Sequence, residues 1–160
     1  MPVAPGDRLP DVKIRVVTED QPSDVSLAGA AEGKTIAIVG VPGAFTPTCS
    51  LNHLPGYVEN EAALKAKGVD DIYILSVNDH FVMKAWAKAS NALGKLHFIA
   101  DWNGSVSRAL GVEIDLAVAG LGKRSTRFSL LARDGVVSHV NVEPKPGVDV
   151  SSAATMLEQL

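Results

Sequence analysis

The only cysteine of this 160-residue chain, Cys49, stands in Val41-Pro-Gly-Ala-Phe-Thr-Pro-Thr-Cys-Ser50. A β-type run ends at Val41, and Pro42-Gly43 make a turn. Thr46-Pro47 then reads as a helix start, because Thr caps well and Pro is favoured at the first helical position. Cys49 falls in the first turn, where unpaired backbone N–H groups and the positive end of the helix dipole favour the nucleophilic thiolate. A capping box would carry Glu or Gln at this position, so the Thr46 hydroxyl is expected near the sulfur, able to donate to it or to an oxygen bonded to it. Most free cysteines are inert core fillers; the helix start makes this one a candidate nucleophile.

Other chemistries fit less well. A Cys/His hydrolase needs a histidine held by a third group. His53 lies four residues after Cys49, but that spacing at a helix start sets up no in-line imidazolium pair. His80, His97 and His139 carry no local signature. All four read as surface or hydrogen-bonded structural residues, and Cys49 with His53 is too small a ligand set for a metal. Ser50-Leu-Asn-His-Leu-Pro55 lacks the glycine-rich run closing on Arg that a phosphatase loop requires. Gly120-Leu-Gly-Lys-Arg-Ser-Thr126 has Arg124 where a phosphate loop needs Ser or Thr, and reads as a basic turn leading to Arg127.

The elements that must position Cys49 alternate between short β-branched runs and longer helical stretches, an α/β pattern. Strands are expected at 13–18, 35–41, 72–77, 96–100, 127–132 and 136–142. The runs near 36 and 72 are apolar on both parities, as central strands covered on both faces should be. Helices are expected at 47–67, 80–93, 105–110 and 150–160, the second burying Phe81, Met83, Trp86, Ala89 and Leu93. Pro55 should kink the first helix, loosening its first turn for a bulky partner. Asp134-Gly135 between two β runs marks a hairpin, which makes the sheet mixed.

Size and composition imply one domain over residues 1–160. The formal net charge of -3 and the absence of a basic stripe exclude nucleic acid as an expected partner. The longest apolar run, 36–41, is too short to span a bilayer, so no membrane partner is expected. The N-terminal MPVAPGDRLP has neither a signal-peptide core nor an Arg-rich transit pattern. One free cysteine fits a reducing compartment, with the cytoplasm as the expected location.

Pro42, Thr46 and Cys49 match the P-x-x-x-[ST]-x-x-C signature of the peroxiredoxins, and GVPGAFTPTCS with SVNDHFVMKAW (76–86) resembles the atypical type II, peroxiredoxin-five-like subfamily. The resemblance runs from APGDRLPD to NVEP (141–144). It implies a thioredoxin-like fold and a thiol peroxidase in which Cys49 attacks a hydroperoxide and becomes a sulfenic acid. Thr46 and Arg127 match the family's other catalytic positions. A guanidinium there stabilises both the thiolate and the oxygen that gains charge as the O–O bond breaks. The resemblance further implies that Pro42 shields the sulfur, Gly43 permits close backbone approach, and amides near Thr48 and Cys49 hold the peroxide. Phe45 is expected to line the pocket or a subunit contact.

Many relatives carry a second, resolving cysteine near the 72–77 strand or the C-terminus. Here those regions read IYILSV and VDVSSAATMLEQL. An external thiol must therefore reduce Cys49, glutathione with glutaredoxin being favoured over thioredoxin. No metal, haem or flavin is implied. The substrates expected are hydrogen peroxide and small organic hydroperoxides, with peroxynitrite a further one, and a homodimer is expected through Phe45 and Phe81. A redox-sensing or binding module on the same fold is the competing reading.

Overall fold

In the computed structural model, which describes residues 2–160, the chain runs through β1 (Lys13–Val16), β2 (Ser23–Ser26), α1 (Leu27–Ala31) and β3 (Thr35–Gly40). A π-helical turn (Cys49–His53) leads into α2 (Leu54–Ala66). There follow β4 (Asp71–Ser76), α3 (His80–Ala89), β5 (His97–Ala100), α4 (Ser105–Leu110), β6 (Glu113–Asp115), β7 (Lys123–Ser125), β8 (Phe128–Arg133), β9 (Val136–Val142) and α5 (Ala153–Gln159). Seven strands form one sheet in the order β2-β1-β5-β4-β3-β8-β9, and β6 pairs with β7 separately.

The two runs apolar on both parities do lie inside the sheet. β3 and β4 pair in parallel, β4 pairs in parallel with β5, and β8 joins β3 antiparallel. Side chains alternate across the pleat, so Ala37, Val39, Ile72 and Ile74 pack under α2, α3 and α5. Ile36, Ile38, Tyr73 and Leu75 pack on the opposite face with Leu27 of α1 and Val106 of α4. Cys49 belongs to the first of these clusters.

Asp134 (φ 49) and Gly135 (φ 78) both take left-handed backbone, as a type I′ hairpin turn between β8 and β9 demands. A bulge at Leu131/Ala132 then shifts the register by one residue, so Phe128 faces Val142 at the open end. The Glu143 amide extends that ladder by donating to the Arg127 carbonyl at 3.0 Å. At the same end Gly40 faces Phe128, whose ring leaves no room for a Cβ: one built there would lie 2.0 Å from Cε1.

Three expectations are corrected. Helix α3 buries Met83, Trp86 and Ala87, whereas Phe81 is 75% exposed. Phe81 lies about 200° around the helix from Met83, and Leu93 falls beyond the helix end. The kink at Pro55 takes the form of the π turn. Proline has no N–H to close the ordinary bond and clashes with the carbonyl four residues back; the Leu54 amide reaches Cys49 O instead. β2, α1, β6 and β7 were not among the expected elements; Ser-Asp-Val-Ser carries one apolar residue and pairs only at the sheet edge.

Candidate active site

The helix that carries Cys49 begins at Pro47, with Thr46 in the cap position; its carbonyl accepts the first helical bond, from the Ser50 amide at 2.9 Å. The Thr46 hydroxyl donates to the Gly43 carbonyl at 2.7 Å. Its one proton is committed there, which leaves the hydroxyl oxygen an acceptor rather than a donor to sulfur. Gly43 is crowded by two side chains: a Cβ would lie 3.0 Å from Thr46 Cγ2 and 3.2 Å from Arg124 Nη1.

Arg127, one residue before β8, reaches across to the helix start. Its Nη2 donates to the Cys49 sulfur at 3.2 Å, and its Nη1 donates to His53 Nδ1 at 3.1 Å. Cys49 is fully buried and Arg127 is 9% exposed. The charge of the guanidinium is constant, and its planar fork fixes both directions at once. An anionic sulfur and the charge that develops on a leaving oxygen are both stabilised by such a donor.

Cys49 and Arg127, paired beforehand only through the family resemblance, thus acquire a third member. His53 is 1% exposed, and its Nε2 lies 2.9 Å from the Ser151 carbonyl. A carbonyl only accepts, so Nε2 carries the proton and Nδ1 offers its lone pair to Arg127. The Tyr57 hydroxyl donates to the same carbonyl at 2.8 Å, and burial pushes its phenol well above the ordinary range. The only sign of His53 in the sequence was its place four residues after Cys49.

Burial, with the charge of Arg127 adding to it, pushes His53 down from 6.5 to about 4, against the opposing effects of the Ser151 carbonyl and Glu143. Between these values the unfolded chain binds a proton that the folded one refuses. Stability is therefore fully present above about pH 6.5 and falls as the pH drops toward 4, by about 3 kcal/mol in all. Urea midpoints at pH 7 and pH 4.5 check this. The wild type should lose about 2 kcal/mol more than His53→Gln across that interval; parallel losses would mean that another group titrates.

Pro42, Thr48 and Arg127 line a cavity of about 340 Å³ whose outer wall includes Ile114, Leu116 and Pro144. Phe45 does not join them. It is 53% exposed, takes left-handed backbone (φ 62) and lines a separate groove with Pro55 and Trp86. Arg124 is not a free basic turn either: Nε donates to Leu121 O at 2.9 Å and Nη1 to Val77 O at 3.3 Å, so it ties β7 to the loop after β4. Among the described residues no group of three His, Cys, Asp or Glu is placed to hold a metal, and no helix is long and apolar enough to cross a membrane.

A mixed sheet flanked by helices, with a lone thiol at a helix start against a guanidinium carried just before a strand, defines a thioredoxin-like fold built for thiol redox chemistry. A family model described as Redoxin matches residues 4–157. The chain is 49% identical to Peroxiredoxin-2C of Oryza sativa subsp. japonica and 48% identical to Peroxiredoxin-2B of Arabidopsis thaliana, in each case over 99% of both chains. It superimposes on the crystal structure of reduced Prx3 in complex with H2O2 from Vibrio vulnificus with a TM-score of 0.91, at 42% identity and 99% coverage of each chain. The chain belongs to the Redoxin family, within its type II peroxiredoxins. It is a thiol-dependent peroxidase, and its single cysteine fits a one-cysteine mechanism.

Proposed function

We propose that Cys49 is the peroxidatic nucleophile, that it reduces hydrogen peroxide and small alkyl hydroperoxides, and that glutathione with glutaredoxin, in preference to thioredoxin, restores the thiol. The observation that carries this reading is the 3.2 Å approach of Arg127 Nη2 to the sulfur of the chain's only cysteine. The Vibrio vulnificus Prx3 structure contains H2O2, which supports a small peroxide as the substrate here.

The thiolate attacks the terminal peroxide oxygen. An S–O bond forms as the O–O bond breaks, and the departing oxygen leaves as water or an alcohol once protonated. Sulfur is oxidised to the sulfenic acid and the peroxide is reduced by two electrons. Arg127 stabilises charge on sulfur and on the departing oxygen, and Thr46 accepts the peroxide hydrogen. Pro42, Gly43 and Thr48 shape the approach, the first-turn amides at Thr48 and Cys49 supplying further donors. Glutathione thiolate then displaces hydroxide from the sulfenic sulfur to give a mixed disulfide, and a second thiol releases Cys49 with formation of an external disulfide. The sulfur itself cycles the two electrons, so no resident cofactor enters.

Because the sulfur is fully buried, a thiol reductant requires the helix start to open, and the π turn is the weak point at which it does so. The exposed rings of Phe45 and Phe81 support a homodimer, and the free thiol suits the cytoplasm. Steady-state peroxide consumption tests the reductant. Turnover with glutathione and glutaredoxin should exceed turnover with thioredoxin and its reductase, with a glutathione adduct on Cys49 visible by mass. Faster turnover with thioredoxin and no adduct would refute the preference.

A further inference from the structure

Glu143 follows β9 and takes no part in the chemistry above, yet the residue is 9% exposed and its carboxylate is crowded by donors. One oxygen, Oε2, accepts from the Asp149 amide at 2.8 Å, the Ser151 amide at 2.9 Å and the Ser151 hydroxyl at 2.6 Å. Burial opposes ionisation there, but the Ser151 and Asp149 bonds prevail and hold the carboxyl below its ordinary value. Residues 144–152 lie outside every strand and helix, so these bonds supply much of what fixes the path of that segment. Its path sets where the Ser151 carbonyl points. That carbonyl accepts from His53 Nε2, leaving Nδ1 to accept from Arg127 Nη1, whose sister nitrogen reaches the sulfur.

We propose that Glu143 is a positioning residue for the Cys49 centre: its carboxylate folds residues 144–152 so that the Ser151 carbonyl locks the His53 ring, and the ring locks the Arg127 guanidinium. This rests on Cys49 and Arg127 as the reacting pair. The hairpin makes the device compact, since the β8–β9 register places Glu143 beside Arg127 while the segment beyond it returns to the far side of His53. A misplacement of about 1 Å at such a centre costs up to about a hundredfold in rate, so an anchor four hydrogen bonds away is felt at the sulfur.

Two conservative variants separate reach from charge. Glu143→Gln keeps the length and presents a carbonyl oxygen to the same three donors; Glu143→Asp keeps the charge but withdraws the carboxylate by one methylene. The readouts are the rate of oxidation by hydrogen peroxide and the nitrogen NMR signature of the His53 ring, which reports its tautomer without reference to catalysis. Glu143→Asp should lower the rate at least about tenfold and turn His53 from the Nε2–H tautomer to a mixture. Glu143→Gln should stay within about threefold of wild type and keep the tautomer. An Asp variant that keeps both rate and tautomer overturns the proposal. So does one that loses rate with the His53 signal unchanged, or a Gln variant that falls as far as Asp, which would assign the effect to charge. A wild type no faster than a free thiol, with the His53 response intact, sinks the peroxidase reading rather than the anchor.

Discussion

Replacing Arg127 by glutamine is expected to slow oxidation of Cys49 by hydrogen peroxide by about 10² to 10³-fold, the usual loss on removing one preorganised donor from a site of developing charge. Glutamine is neutral, shorter and unable to present two parallel N–H directions, so both the 3.2 Å contact to sulfur and the 3.1 Å contact to His53 are lost together. His53 Nδ1 is then a buried acceptor without a partner, which costs stability of about 1 to 3 kcal/mol. Arg127→Lys keeps a cation but replaces the fork with a flexible point charge, and should fall between wild type and glutamine. Stopped-flow oxidation and urea midpoints read the two effects separately. A rate unchanged in Arg127→Gln would mean that the guanidinium is structural.

Cys49→Ser should abolish thiol-dependent peroxide consumption, leaving only the uncatalysed background. A serine oxygen cannot form the sulfenic acid on which the cycle depends, and no second cysteine in the sequence can take over. The fold should survive, because the hydroxyl occupies less space than the thiol and still meets the Arg127 donor. Peroxide consumption with saturating reductant, together with a sulfenic-acid trap, measures this; residual trapping in the variant would point to an oxidisable group elsewhere.

The thiol's setting was legible because proline, threonine and a strand end act locally. Pro47 fixes the helix start, Thr46 caps it, and the apolar runs of β3 and β4 identify the strands that deliver the loop. Elements held by long-range pairing were not. β2 is an exposed edge whose pairing to β1 supplies what its sequence lacks, and Phe81 fell off the buried face because the helix phase is set by Met83 and Trp86. His53 reads as a surface or hydrogen-bonded structural residue; that its bonds go to Ser151 and Arg127 was not legible, because both partners lie far from it in the sequence. Glu143 depended on the bulge at Leu131/Ala132. Without that extra residue Arg127 would face Val142, and nothing in the β8 or β9 composition marks the slip.

The most direct test is the second-order rate of hydrogen peroxide with the reduced protein, measured in competition with a reference peroxidase, for the wild type, Arg127→Gln and Cys49→Ser. The prediction is rapid oxidation in the wild type, a steep fall in the first variant and none in the second. A wild-type rate equal to that of a free thiol, and the same in Arg127→Gln, would contradict it.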